Sequence, residues 1–388
     1  MAQDPRIVAA LDVGNHRVLA LIGELSDHDE MVIRGVGLAP SSGMRSGQVV
    51  QLRPVVAAIK AAAEEAELMA KLPAEKVIAS VAGIFVSGRL TRAMISMGAR
   101  SREVTLADLE ALHDAARRQP LPTGHTVLNV VTPTYAVDDQ EGILDPQAMV
   151  GRALAVDAFV LACQESPVRT LEKAINEAGL EVEEFLFAPV AAANATLTGD
   201  ERRLGAVLID IGYGTTSYAA YSADKLLAAG CFPIGSNKVN DDLVHRFQTT
   251  ATGAEKAKRE AGTMLLADVG EEETISVPTI EGRGSHVISR RELCKTIRLR
   301  MQELLIQLWN EQESTVFLVT HSVEEAVYLG DRVFLMAPSP GRLVDILKVP
   351  RPNEPPEESR RKPWFINFCQ ALLRRLEEES PASHGVKV

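Results

Sequence analysis

The sequence of 388 residues contains few aromatic residues (4%), no long apolar run and only four widely separated cysteines. A membrane-spanning helix needs about 20 consecutive apolar residues, so no transmembrane segment is predicted. Cys163, Cys231, Cys294 and Cys369 lack CxxC spacing, which argues against a metal site and indicates the reduced thiols of a cytoplasmic protein. The opening MAQDPRIVAALDVG also lacks the basic and then apolar pattern of a signal peptide.

Charge and missing motifs exclude further classes of protein. Lys and Arg total 41 and Asp and Glu total 52, giving a formal net charge of −11. Such an acidic chain has no general attraction for nucleic acid, so no nucleic-acid partner is predicted. The sequence has no GxxxxGK[ST] loop, no GxSxG elbow and no paired histidines, which argues against a P-loop enzyme, a serine hydrolase and a zinc site.

One short pattern occurs twice, 198 residues apart. In AALDVGNHRV and VLIDIGYGTTS an apolar strand ends in an aspartate, Asp12 or Asp210, and a glycine-containing turn leads into a second strand. Glycine lets the backbone approach a polyphosphate closely, and successive N–H groups bind anions. Each aspartate is placed to hold Mg²⁺ through water. If the two turns face each other, they are predicted to bind a nucleotide between them, one turn on each side.

Residues 6–297 resemble the bacterial cell-division protein FtsA, of the actin/Hsp70/sugar-kinase superfamily. The resemblance is carried by the two turns, by GQVVQLRPVVAAIKAAAEEAELMA, and by NVVTPTYAVDDQEGILDPQAMVGRALAVDAFVLAC. The last segment resembles the inserted subdomain that separates FtsA from actin, Hsp70 and sugar kinases. The resemblance implies an α/β protein with an actin-like, two-lobed ATPase fold, a small inserted α+β subdomain and, after it, a C-terminal α/β remnant.

The resemblance also implies a function. The chain would be an ATP-binding, actin-like protein that self-associates into filaments at the division septum. It would link a tubulin-like division ring protein to the inner face of the membrane. ATP and Mg²⁺ are the implied cofactors, with at most weak ATPase activity. The predicted nucleotide site comprises Asp12, Gly14, Asn15, His16, Arg17, Asp210, Gly212, Gly214, Thr215, Thr216, Gly235 and, in a helix resembling the one that contacts adenosine, Glu255 and Lys258.

Both turns depart from the usual family pattern. Asn15, His16 and Arg17 stand where Thr or Ser and then Lys are usual, and Arg17 retains the ability to pair with phosphate. Tyr213 replaces the middle glycine of the second turn, at a cost in backbone freedom and in space for the ligand. The sequence also lacks the Gly-Gly pair that caps adenine in FtsA. A degenerate scaffold that no longer binds nucleotide is therefore an alternative.

From about Thr296 the chain resembles the C-terminal part of an ABC-transporter ATPase of the nitrate/sulfonate/taurine import type. RLRMQELLIQLWNEQESTVFLVTHSVEEAVYLGDRVFLMAPSPGRL carries this resemblance, with His321 at the position of the switch histidine. The Walker A loop is absent, so an ATP-binding transporter subunit is an alternative only as a fragment, and His321 is predicted to be structural.

The last helix has two open interpretations. An apolar face between Trp364 and Leu376, preceded by basic residues, suits an interfacial membrane helix. A short amphipathic helix also commonly packs on its own domain.

The sequence predicts the following organisation. Single elements include an apolar strand over 77–86 and an amphipathic helix over 298–310. The predicted domains are an actin-like first lobe (6–83 and 159–200), the inserted subdomain (84–158), an incomplete second lobe (201–297), the ABC-like fragment (298–349), a proline-rich linker (350–363) and a terminal helix with its tail (364–388).

Overall fold

The computed structural model describes residues 6–26, 30–118, 120–280, 284–312, 322–330, 332–337, 342–350, 356–359 and 361–379. The chain divides into two units, Met1–Asn237 and Lys238–Val388, and each is described by itself.

The first unit contains most of the strands. They are β1 (Arg6–Val13), β2 (Arg17–Leu25), β3 (Met31–Pro40), β4 (Met44–Arg45), β5 (Gln48–Val49), β6 (Lys76–Val81), β7 (Val86–Ser96), β8 (Arg102–Glu103), β9 (His125–Val137), β10 (Gln140–Ile143), β11 (Val150–Gly151), β12 (Ala153–Gln164), β13 (Glu181–Phe187), β14 (Ala206–Ile211), β15 (Thr216–Ser222) and β16 (Lys225–Phe232). Its helices are α1 (Leu52–Ala70), α2 (Leu106–Arg117), α3 (Glu165–Glu177), α4 (Ala188–Thr196) and α5 (Gly199–Leu204).

Two sheets of this unit carry the repeated motif. The five-stranded sheet has the order β13-β6-β1-β2-β3, in which β1, β6 and β13 run parallel and β1, β2 and β3 form an antiparallel meander. The second sheet is the antiparallel β14-β15-β16. Buried residues of both sheets, among them Leu11 and Ala219, belong to one hydrophobic cluster. This shared core explains why residues 206–232 group with the first unit.

Close packing of α1 on β3 depends on small residues. Gly35 and Gly37 of β3 lie against α1, and a Cβ on either would overlap the backbone carbonyl of Ala66 or Ala62. The facing helix surface consists mostly of alanine, which lets the helix approach the sheet closely. This contact fixes the sheet whose strand β1 carries the first turn.

The inserted subdomain has its own core. Its four-stranded sheet has the order β10-β9-β12-β7, and Leu112 of α2 is fully buried against it together with Leu154 and Val156. Helix α2 begins at a capping box formed by Thr105 and Asp108. The predicted α/β class with a small inserted α+β subdomain is confirmed.

The second unit is mainly helical at its start. Its elements are α6 (Asn237–Phe247), α7 (Ala251–Ala261), β17 (Thr274–Pro278), β18 (Ser285–Ser289), α8 (Arg290–Gln312), α9 (Val323–Leu329), β19 (Arg332–Ala337), β20 (Arg342–Lys348), α10 (Pro356–Ser359) and α11 (Pro363–Glu379). One cluster joins α6, α7 and the start of α8, and a second joins α9, β19 and α11.

Two predicted elements differ in their bounds. The single strand expected over 77–86 is wrong, because β6 ends at Val81 and β7 begins at Val86, with Phe85 packed over Gly83 in the connecting turn. The helix expected over 298–310 begins earlier, at Arg290, and runs continuously through Thr296. His321, predicted to be structural, lies outside the described residues.

Candidate functional site

The two repeated turns have the same backbone arrangement. In the first, the Gly14 N–H donates to the Arg17 carbonyl, and in the second the Gly212 N–H donates to the Thr215 carbonyl. The flanking strands pair in the same register, Val13 with Val18 and Ile211 with Thr216. The repeat identified from the sequence is therefore a structural repeat, with an aspartate two residues before each turn.

The turns contact each other through their side chains. The Asn15 side chain packs on Gly214, where a Cβ would lie 2.9 Å from Asn15 Nδ2. The rings of His16 and Tyr213 stack with their centroids 4.8 Å apart and an angle of 24° between their planes. Asn15 also accepts a hydrogen bond from the Gly47 N–H at 3.2 Å. The predicted pairing of the two turns is thus present in the fold of one unit.

The two aspartates lie close enough to affect each other electrostatically. Asp12 is at the carboxyl end of β1, where it accepts a hydrogen bond from the hydroxyl of Ser80 on the neighbouring parallel strand β6. Asp210 is exposed as a residue, but partial burial of its carboxyl raises its pKa, and the charge of Asp12 adds to the rise. Two adjacent carboxylates that repel each other form a favourable place for a cation.

The tips of the turns present hydrogen-bond donors. Within the described part of the chain, the backbone N–H groups of Asn15, His16, Tyr213 and Gly214 make no hydrogen bond. Arg17 is exposed, and its guanidinium pairs with no residue that the structure describes. Unpaired amides and a guanidinium around two carboxylates suit a phosphate group bound together with a metal ion.

Gly235 supports the second turn by its lack of a side chain. A Cβ at this position would overlap the carbonyl of Tyr213. The N–H groups of Ser236 and Asn237 donate to the carbonyls of Gly212 and Tyr213, both at 2.9 Å. These two hydrogen bonds bring the backbone at Gly235 against the second turn. A side chain at this position would prevent that close approach.

Two threonines of the second turn have different surroundings. Thr216 is fully buried, and its hydroxyl donates to the Ile234 carbonyl at 2.7 Å. Thr215 hydrogen-bonds to Cys231, whose pKa is raised to about 12, mainly by burial and further by the charge of Asp210. Both contacts order the turn, and a role for either threonine in ligand binding stays a prediction.

The predicted adenosine residues lie in the second unit, on α7. Lys258 Nζ donates to Glu255 Oε2 at 2.6 Å, and Asn240 Nδ2 of α6 donates to the same oxygen at 2.7 Å. Glu255 and Lys258 are largely buried, with side-chain exposures of 21% and 15%. The contact of these two residues with adenosine stays a prediction.

Two residues that support the first turn, Ser80 and Gly47, were not predicted from the sequence. Ser80 is the one polar residue in the apolar part of β6 that follows Lys76, and this contrast was the available signal. Gly47 has a positive φ of 78°, and a Cβ there would overlap the Ala82 carbonyl. Both reach the first turn only through tertiary contacts. The concern about backbone strain at Tyr213 is corrected, because its φ is not positive.

Among the described residues no group of three His, Cys, Asp or Glu side chains is arranged to hold a metal ion. A helix long and apolar enough to cross a membrane is likewise absent from that part of the chain.

Comparison with known proteins identifies the family. The family described as "Cell division protein FtsA" matches residues 207–376, and "SHS2 domain inserted in FTSA" matches residues 83–162. The cell division protein FtsA of Pseudomonas aeruginosa is 30% identical over 345 residues, which cover 86% of this chain and 82% of the relative. The chain belongs to the FtsA family. FtsA of Escherichia coli K12 is 33% identical over 311 residues, covering 80% of this chain and 73% of that protein.

FtsA membership confirms the expected actin-like α/β fold, and the SHS2 match coincides with the subdomain of β7–β12. Among solved structures, a PilM-PilN type IV pilus biogenesis complex is similar at a TM-score of 0.49 and 17% identity, covering 79% of this chain and 78% of the other. MreB5 of Spiroplasma citri bound to ADP has a TM-score of 0.43 and 14% identity, covering 80% of each chain.

The FtsA match continues through the segment that resembles an ABC-transporter ATPase. Neither the fold nor the comparisons test that second resemblance, which stays a prediction. The described helix α11 packs inward, with Phe365, Cys369 and Leu372 buried against Val327 of α9 and Leu335 of β19. This packing favours the interpretation of α11 as part of its own domain.

Proposed function

We propose that this FtsA-family protein binds Mg·ATP at the paired turns and that the bound nucleotide favours an assembly-competent state. The observation that carries the proposal is the contact between two structurally equivalent turns, each with an aspartate two residues before its glycine. Binding of ATP to one of two conformations shifts the population toward that conformation. Binding therefore suffices for this role, and rapid hydrolysis is not required.

The residues of the turns fit magnesium and phosphate. Mg²⁺ retains several waters and uses one or two carboxylates, and Asp12 and Asp210 provide such a pair. The ion would neutralise phosphate charge, while the amides of the turn tips and the guanidinium of Arg17 would bind phosphate oxygens. The pKa of Asp210, raised mainly by burial and further by the charge of Asp12, supports the assignment, because a bound cation would stabilise the ionised carboxylate. Glu255 and Lys258 are proposed to bind the adenosine end.

Thermal unfolding with and without Mg·ATP tests this proposal. A ligand that binds only the folded state at 100 times its Kd stabilises that state by about 2.7 kcal/mol. Asp12→Asn and Asp210→Asn should abolish most of the stabilisation, whereas Asp139→Asn, which makes the same change in an exposed turn of the inserted subdomain, should retain it. Equal behaviour of all three variants, or no response of the natural protein to millimolar nucleotide, would instead favour the degenerate scaffold.

In division, we propose that the protein self-associates at the septum and links the tubulin-like ring protein to the membrane. Membership of the FtsA family supports a role in cell division. A pelleting assay with the purified ring protein, with and without Mg·ATP, measures the link, and absence of co-pelleting in both conditions would contradict it.

Contact with the membrane is proposed for the exposed side of α11. Ile366 and Leu373 are 43% and 48% exposed beside the exposed Arg374, while Phe365 and Leu372 are buried. Co-sedimentation with anionic vesicles should fall for Ile366→Glu and for deletion of 364–388. Unchanged binding of both variants would exclude α11 as the contact.

A further inference from the structure

We propose that His16 and Tyr213 form a latch between the two turns and that a nucleotide binds only after this latch opens. The inference rests on the proposed function, since it concerns the same site. His16 and Tyr213 stack on each other with a centroid distance of 4.8 Å, so one ring contact joins the two turns.

The tips of the two turns are already in contact with each other. A phosphate oxygen accepts from an N–H at about 2.9 Å on each side, so donors on two turns that share a phosphate must be separated by the width of the group. Here Asn15 already packs against Gly214, and the His16 and Tyr213 rings occupy the gap beside them. Bound phosphate consequently requires the turns to move apart.

The residues that form the stack also carry donors that a ligand needs. The N–H groups of His16 and Tyr213 themselves make no hydrogen bond within the described part of the chain. Opening of the stack would expose these two amides together, which is why the same residues control access and contribute donors. Side-chain removal at either position should leave the backbone donors intact.

The strength of the latch sets the expected effect. Stacked aromatic pairs contribute an energy equivalent to about a two- to tenfold change in an equilibrium constant. The apparent affinity of a site that must open first is lowered by the fraction of molecules that are open. The natural protein should thus bind Mg·ATP more weakly than a variant without the stack.

Isothermal titration with Mg·ATP and Mg·ADP tests the latch. Tyr213→Ala and His16→Ala should each raise the Mg·ATP affinity by about two- to tenfold, and the double variant should gain no more than either single one, because both remove one contact. Tyr213→Phe, which keeps a ring for stacking, is the matched control and should bind like the natural protein. His16 is exposed, so its variant remains informative if a Tyr213 variant fails to fold.

The outcomes separate the latch from the proposed function. If all variants bind Mg·ATP with the affinity of the natural protein, the proposed nucleotide site is retained and the latch is wrong. Lower affinity in the alanine variants would also overturn the latch and would make the rings part of the binding surface. If neither the natural protein nor any variant binds nucleotide, the proposed function and the latch both fail.

Discussion

The first and second turns share one backbone arrangement but differ in what supports them. The first lies between β1 and β2 inside a five-stranded sheet, with β6 on one side and β3 on the other. The second lies between β14 and β15 at the end of a three-stranded sheet. Asp12 accepts a hydrogen bond from Ser80, whereas no described side chain donates to Asp210.

This difference indicates a division of roles between the two carboxylates. Asp12 is positioned by a neighbouring strand, whereas the pKa of Asp210 is raised mainly by burial and further by the charge of Asp12. A site assembled from a repeat need not be symmetric, because each copy of the motif is supported by a different part of the fold.

The largest expected effect concerns the support of the first turn. Gly37→Ala places a Cβ on the Ala62 carbonyl of α1, and backbone on both sides limits relaxation. We expect a loss of about 3 kcal/mol in the free energy of unfolding, the upper range for overpacking, measured by urea denaturation. Gly199→Ala is the control, since nothing lies within 4 Å of its added Cβ. A Gly37→Ala protein as stable as the control would show that this support is not needed.

A second prediction compares the serines next to the two aspartates. Ser80→Ala removes the hydrogen bond that orients Asp12, and we expect the Mg·ATP affinity to fall about tenfold. Ser80→Thr keeps the hydroxyl and should restore most of the affinity. Ser217 pairs with Asp210 across β14 and β15 without a hydrogen bond between their side chains, so Ser217→Ala should leave the affinity unchanged. Equal losses of Mg·ATP affinity in Ser80→Ala and Ser217→Ala would show that the two aspartates do not differ in their support.

The third prediction uses the pKa of Asp210. Its pKa is higher in the folded than in the unfolded protein, so the folded state binds more protons and stability falls as pH rises through the folded pKa. Asp210→Asn should therefore raise the melting temperature at pH 7, and this gain should vanish below the ordinary carboxyl value of 3.8. Because burial is the larger cause, Asp12→Asn should give a smaller gain. A lower melting temperature for Asp210→Asn at pH 7 would contradict the assignment.

The smallest effect is expected at Cys231. Burial raises the pKa of its thiol to about 12, and the charge of Asp210 contributes. Its labelling by a thiolate-specific reagent at pH 8 should be slow and should become slightly faster in Asp210→Asn, because only thiolate reacts. Peptide mass spectrometry measures the rate at each cysteine, and Cys163, with a pKa near 11 raised mainly by burial, is the internal reference. Faster labelling of both cysteines would indicate general loosening instead.

Much of the local structure could be predicted from the sequence. The hairpins at both turns follow from apolar strands interrupted by glycine. The bounds failed where a glycine changed the path of the chain, as at Gly83, and where a helix extended beyond its apolar period, as in α8.

The repeat, the position of each aspartate before its turn and the family could be recognised from the sequence, because they depend on residue types at short spacing. Three contacts required the folded chain: the hydrogen bond from Ser80 to Asp12, the packing of Asn15 on Gly214, and the stack of His16 on Tyr213. These contacts join residues that are 68 to 199 positions apart in the chain. Their formation depends on how sheets pack around a shared core, which no local pattern specifies.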